Sequence, residues 1–148
     1  MISIETLLHP DGYRTPWHIH RTGQLWRIAT GLLVIETQQA RSVVPAKHIG
    51  WIPPGQQHAA FSESAIEGCA IYLDPAWCGM LPESPALFEP DALTHALFSR
   101  LCGAESEFDP RKLTLLLDEL ALTPQAHFSL PVPTDPRLKN VVSHLLQF

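Results

Sequence analysis

His18 and His20 stand two residues apart, and because side chains alternate across an extended strand, both imidazoles point to the same side. Gln24 follows four residues later, and His58 comes three residues after the tight Pro53-Pro54-Gly55 turn. If the segments that carry them are neighbours, three nitrogens and one oxygen converge. That donor set suits a divalent first-row metal such as zinc, nickel, iron or manganese, with a position left for water or a ligand. The alternative is a metal-free pocket in which the same histidines hydrogen-bond a small molecule. An HxH pair alone is weak support for a metal, because two histidines on a strand are more often ordinary pocket or surface residues. Gln24 is neutral, so a bound divalent ion would keep its full formal charge, which lowers affinity and favours anionic co-ligands. Trp26 shares parity with Gln24 and would face the same pocket as an aromatic wall for a planar effector. For any one of Trp17, Trp26 and Trp51 an ordinary place in the barrel core is the plainer reading, and Trp77 would cover one end of the barrel.

Short strands are needed to carry these side chains. Fourteen prolines and eight glycines are spread along the chain, and between about residues 12 and 75 they punctuate runs rich in β-branched and aromatic residues. This is the texture of an antiparallel barrel or sandwich. The runs at 15–20, 23–30, 32–37, 41–44, 48–52, 57–62 and 69–73 read as strands. After Asp74 comes a proline-rich connection, where the β-rich part is expected to end. Residues 91–102 then place Leu93, Ala96, Leu97, Phe98 and Leu101 at helical spacing. Phe108-Asp109-Pro110 offers an aspartate cap followed by proline at the first helical position, so 111–122 should form a second helix. A last helical segment is expected at 136–148. The leucines of 111–122 make that helix apolar on more than one side, which implies a second surface to bury, in an antiparallel homodimer.

Composition narrows the classes. With 148 residues, 45% hydrophobic and 17% charged, the chain is one ordinary soluble domain. A net charge of -5 supplies no broad basic face for phosphates, so the chain by itself is a poor nucleic-acid binder. Its three cysteines, Cys69, Cys78 and Cys102, are an odd number without a CxxC pair, which argues against both a disulfide framework and a thiolate zinc site. A reducing, cytoplasmic setting is expected. The N-terminal residues have no basic segment leading into an apolar run, and no stretch of 18 apolar residues occurs, so nothing directs the chain to a membrane.

The spacing Gly12-x5-His18-x-His20-x3-Gln24-x6-Gly31 resembles the first cupin motif, and Pro53-x-Gly55-x2-His58 resembles the second. The resemblance covers roughly residues 10–75 and implies a mainly β fold, the double-stranded β-helix jelly roll, followed by a C-terminal α-helical hairpin. It also implies a metal held by His18, His20, Gln24 and His58. Gln24 replaces the usual glutamate, Lys47 a glycine and Ser62 an asparagine. The stretch LPVPTDPRLKNVVSHLL resembles the segment that follows the sensing domain in AraC-type transcription regulators. That likeness implies a barrel with a short N-terminal arm over 1–80, a dimerising helical hairpin over 81–130, and over 131–148 a linker leading to a helix-turn-helix domain absent from this chain. His9, Tyr13 and Arg14, in the arm, read as solvated surface.

Two functions follow as expectations. The first is a ligand-sensing and dimerisation domain of a transcription regulator, with His18, His20, Gln24, Trp26 and His58 contacting a small-molecule effector directly or through a metal, and DNA reached only through the absent domain. The second is a small metal-dependent cupin enzyme, an oxygenase or isomerase, built on the same residues. Against it stands the lack of an acidic residue on the motif strands other than Glu36 and Glu63, both near turns.

Overall fold

The computed structural model describes residues 2–103, 108–126 and 129–131. Ten strands lie in it: β1 (Ile2–His9), β2 (Tyr13–Arg14), β3 (Gly23–Thr30), β4 (Leu32–Glu36), β5 (Ala40–Pro45), β6 (Ile49–Ile52), β7 (Ala59–Ser62), β8 (Ile66–Leu73), β9 (Ala86–Phe88) and β10 (Ser129–Pro131). Two helices, α1 (Ala92–Cys102) and α2 (Pro110–Leu122), form the hairpin. The strands make two five-stranded antiparallel sheets, ordered β1-β8-β3-β6-β9 and β10-β5-β4-β7-β2. This is the mainly β, cupin-type jelly roll with helices behind it that the motifs imply.

Alternation along β3 explains how the layers are assigned. Trp26 and Ile28 pack between the sheets with Leu7, Leu33, Ile35, Val44, Ile52 and Ala70. Leu25, one position out of phase, packs on the other side of its sheet with Ile49, Trp51, Ile71 and the buried leucines of α2. The helix caps follow the sequence: Asp91 accepts from the Thr94 backbone N–H at 2.9 Å, and Asp109 from that of Arg111 at 2.9 Å. Pro110 occupies the first helical position, where its missing N–H costs nothing. Leu113, Leu116, Leu117 and Leu120 all face the sheet, whereas Leu115 and Leu122 are exposed. Arg27, pointing outward from β3, donates to the His95 carbonyl and to Ser99 Oγ of α1, each at 2.8 Å, and lies over the Phe98 ring.

Several expectations need correction. Residues 15–20 do not form a strand; Pro16 has no N–H to donate, and the segment is held by an isolated antiparallel bridge between His18 and His58 with bonds from Thr15 to Ala60 and from Gly55 to His20 on either side of it. The β-rich part does not end at Asp74, because β9 pairs with β6 and β10 with β5. Both are three residues long, too short to show alternation. The N-terminal residues are not a loose arm: β1 pairs with β8 in register over eight positions. Cys69 and Cys102 form a disulfide, joining β8 to the last turn of α1 across 33 residues. Counting cysteines could not show that helix and strand bring this pair together, with Cys78 left as the free thiol. Trp17 is exposed, and Trp51 lies under the helices rather than between the sheets, its indole N–H donating to the Pro82 carbonyl. Trp77 packs against the same helix-covered core. The helix expected at 136–148 lies outside the described residues. No described helix is long and apolar enough to cross a membrane.

Candidate functional site

The four predicted donors come from three places. Gln24 is the second residue of β3 and sits on its inner face, while His18 and His20 precede that strand and His58 precedes β7. A reciprocal pair of backbone hydrogen bonds, His18 N–H to the His58 carbonyl at 2.9 Å and His58 N–H to the His18 carbonyl at 3.0 Å, sets the two segments side by side. The turn before His58 is tied in as well, because the Gly55 N–H donates to the His20 carbonyl at 3.0 Å. Gly55 has φ 80°, a left-handed conformation that glycine reaches without steric penalty. Lys47 holds φ 69° where the resembled motif has glycine, so the fold keeps that backbone shape despite the side chain.

One potential ligand atom from each of His18, His20 and His58 can be chosen so that all three lie within 4.8 Å of one another. The rings of His18 and His58 are 4.4 Å apart between centroids and those of His18 and His20 4.6 Å. The tautomers of two of them are set by the backbone. His18 Nδ1 lies 2.7 Å from the Pro16 carbonyl and His58 Nδ1 lies 2.9 Å from the Gln56 carbonyl, so Nδ1 carries the hydrogen and Nε2 keeps its lone pair. His58 is fully buried and its Nε2 has no hydrogen-bond partner within the protein; nor does the buried Gln24 Oε1. Burial holds His58 below the ordinary histidine range; the Gln56 carbonyl opposes this and the neighbouring imidazoles add to it. His20 is lowered too, first by burial and then by His18, with Glu5 acting in the opposite sense.

A cavity of about 240 Å³ opens beside these groups. His18, His20 and Gln24 line it on one side and Tyr13, Trp26 and Tyr72 wall it. His58 is not in the lining itself but is in ring contact with Trp26, which is, at 5.8 Å between centroids. Trp26 faces the cavity as its parity with Gln24 predicts. Tyr13, which sequence reasoning left as surface, is part of the wall.

Sequence reasoning also missed Glu5. It lies on the inner-face parity of β1, and Tyr72 Oη donates to its carboxylate at 2.7 Å. Gln24 stands directly opposite Tyr72 in the β3–β8 register, and both residues line the cavity. Burial and the Glu5 carboxylate push the Tyr72 phenol above its ordinary range, so it remains a donor. The histidine cluster therefore has a carboxylate nearby, supplied by β1 and not by the motif strands. The alternation of Ile2, Ile4, Thr6 and Leu8 with Ser3, Glu5 and Leu7 was the available signal.

The AraC-like ligand binding domain pattern matches residues 6–147, nearly the whole chain. The chain belongs to the AraC-like ligand-binding domain family. The curated HTH-type transcriptional regulator NimR of Escherichia coli (strain K12) is 30% identical over an alignment of 139 residues, with 89% of this chain and 50% of that protein covered. The chain thus spans about half the length of the curated relative it matches. Among solved structures, ToxT from Vibrio cholerae superposes with a TM-score of 0.57 at 10% identity, covering 98% of this chain and 63% of that one. A second ToxT structure, of strain SCE256 with an unsaturated fatty acid bound, gives 0.52 at 9% identity over 82% of this chain and 50% of that one. At such identities the AraC-family domain and ToxT share a fold, and the site has to be argued from its own residues.

Proposed function

We propose that this AraC-family domain senses a small molecule in the barrel cavity, with His18, His20, Gln24 and His58 holding a divalent transition metal to which the effector binds and Trp26 lying against the effector. The observation that carries this reading is the pair of buried, unpartnered Lewis bases, Gln24 Oε1 and His58 Nε2, beside two further imidazoles. Buried polar atoms without partners are uncommon and ask for a reason. The residues fit such an ion. Two imidazoles present Nε2 because the backbone holds their Nδ1 hydrogens, the outer arrangement that metal-bound histidines use. A bound ion would supply Lewis acidity and a site for an anionic or polar effector group, which matters because no lysine or arginine among the described residues lines the cavity. The cavity lies below the roughly 300–1,000 Å³ usual for drug-sized ligands, so the effector is small, and its aromatic walls favour a planar one.

In this reading the barrel with its N-terminal strand, which the motifs place at 1–80, is the sensor. The hairpin at 81–130 is the dimerisation element, offering Leu115 and Leu122, and 131–148 is a linker toward a helix-turn-helix domain. No bond is broken: an effector that binds one arrangement better shifts the population, and DNA is reached through the rest of a regulator of which this chain is the sensing half. A cytoplasmic location accompanies that role. The oxygenase or isomerase alternative uses the same ligands, and the family membership supports sensing over turnover.

The test is a titration of untagged protein with Co(II), followed by absorption and elemental analysis. One ion per chain, lost in His58→Ala, is expected; no transition metal retained after reconstitution would overturn the metal centre. Small planar compounds should then raise the melting temperature of the metal-loaded protein by mass action. If a metal-loaded sample consumed such a compound catalytically, the enzyme reading would replace the sensor.

A further inference from the structure

Gln24 departs from the resembled motif in a way that creates a problem. A carboxylate offers an acceptor whichever way it turns, but an amide has a lone-pair end and a hydrogen-bearing end, and only the carbonyl can face a cation. Something must therefore choose its orientation. We propose that Glu5, on β1, is a positioning residue for the four-donor site: acting through Tyr72, it holds the Gln24 amide with Nε2 on the phenol and Oε1 toward the ion.

The hydrogen-bond directions follow from chemistry. A carboxylate has no hydrogen to give, so the 2.7 Å contact between Tyr72 Oη and Glu5 uses the phenol hydrogen. Tyr72 then has only lone pairs left for Gln24, and only the amide Nε2–H can meet them. Gln24 Oε1 is left without a partner in the protein, on a residue lining the cavity that His18 and His20 also line. Without the Glu5 carboxylate, the phenol is free to donate to Gln24 Oε1 instead; the amide reverses, and its hydrogens face the imidazole lone pairs. Glu5 lies 19 residues before Gln24 in sequence, and the two strands meet only through β8, which carries Tyr72 between them.

The inference rests on the metal reading above, and the experiment separates the two. Untagged wild type, Glu5→Gln, Tyr72→Phe, Gln24→Glu and the Gln24→Glu/Glu5→Gln pair are titrated with Co(II), with circular dichroism checking that each is folded. Glu5→Gln and Tyr72→Phe should each weaken binding about 10- to 100-fold, the range for groups that orient metal ligands. In the Gln24→Glu background, loss of Glu5 should cost less than threefold, because a carboxylate needs no orienting. The d–d spectrum of Glu5→Gln should also move toward a weaker oxygen contribution. If wild type binds Co(II) and both single variants bind as tightly, the positioning role is wrong while the metal centre stands. If Glu5→Gln weakens binding and Tyr72→Phe does not, Glu5 acts only as a distant charge and the proposal falls. If wild type binds no metal, both fall together.

Discussion

The two faces of β3 are built to opposite standards. Outward, Leu25 enters a seam in which Trp51, Phe98, Ile71 and four leucines of α2 are buried, and in which the polar groups of Trp51 and Arg27 have partners. Inward, one residue away, Gln24 is as buried as Leu25 but its oxygen is left without one. Equal burial with unequal satisfaction separates a region selected for packing from a region kept available for something else.

Breaking the seam should do the most damage. Leu116→Asp places a carboxylate among fully buried leucines and should cost more than about 4 kcal/mol, enough to abolish the cooperative melt at room temperature. Leu115→Asp, the next residue but exposed, should stay within about 0.5 kcal/mol and is the variant that sedimentation can use to dissociate a dimer. A stable Leu116→Asp protein would mean that α2 does not pack on the sheet. Next in size is the covalent tie of the seam. Opening the Cys69–Cys102 bridge by reduction or by Cys102→Ser should lower stability by about 3 kcal/mol, read from denaturant midpoints, because a loop of 33 residues is released. An unchanged midpoint would show that packing alone closes the seam.

The inner face should respond with the other sign. Gln24→Leu removes an unpartnered buried oxygen, so stability should hold or rise by up to about 1 kcal/mol while Co(II) affinity falls roughly tenfold. Loss of stability in that variant would make Gln24 a structural residue and erase the contrast. The smallest effect is the pH response. His20 and His58 are held below the ordinary histidine value, about 6.5, so above that pH folded and unfolded forms are both neutral and nothing is gained or lost. As pH falls below about 6.5 the unfolded chain takes up protons first, and stability declines until the folded pKa values are passed. Metal-free protein should therefore show a lower denaturant midpoint at pH 5.5 than at pH 7.5, and His58→Gln should flatten the difference. A higher midpoint at pH 5.5 would contradict the burial of the cluster.

How legible each part was from sequence follows the range of its interactions. Gly23–Thr30, and the helices bounded by Asp91 and Asp109, were readable because alternation, periodicity and caps are local signals. The gathering of His18, His20 and His58 was readable from motif spacing, although residues 15–20 reach their place without a strand, through one isolated bridge and a few flanking backbone bonds. Glu5 was not, because its role depends on Tyr72, 67 residues away, and on a strand that sequence reading treated as a terminal arm. The disulfide escaped for the same reason, since only α1 lying across β8 brings Cys102 to Cys69.

The bridge between His18 and His58 also makes a gauge. Its two amide hydrogens are exchangeable, each is bonded to the carbonyl of the other histidine, and both sit on residues whose side chains belong to the three-histidine cluster. Opening that single pair exposes both amides to solvent together, so they exchange as one unit. Anything that grips the two imidazoles at once must slow that exchange, and the rate at these two positions reports occupancy of the site with no label attached to the protein or to what it holds.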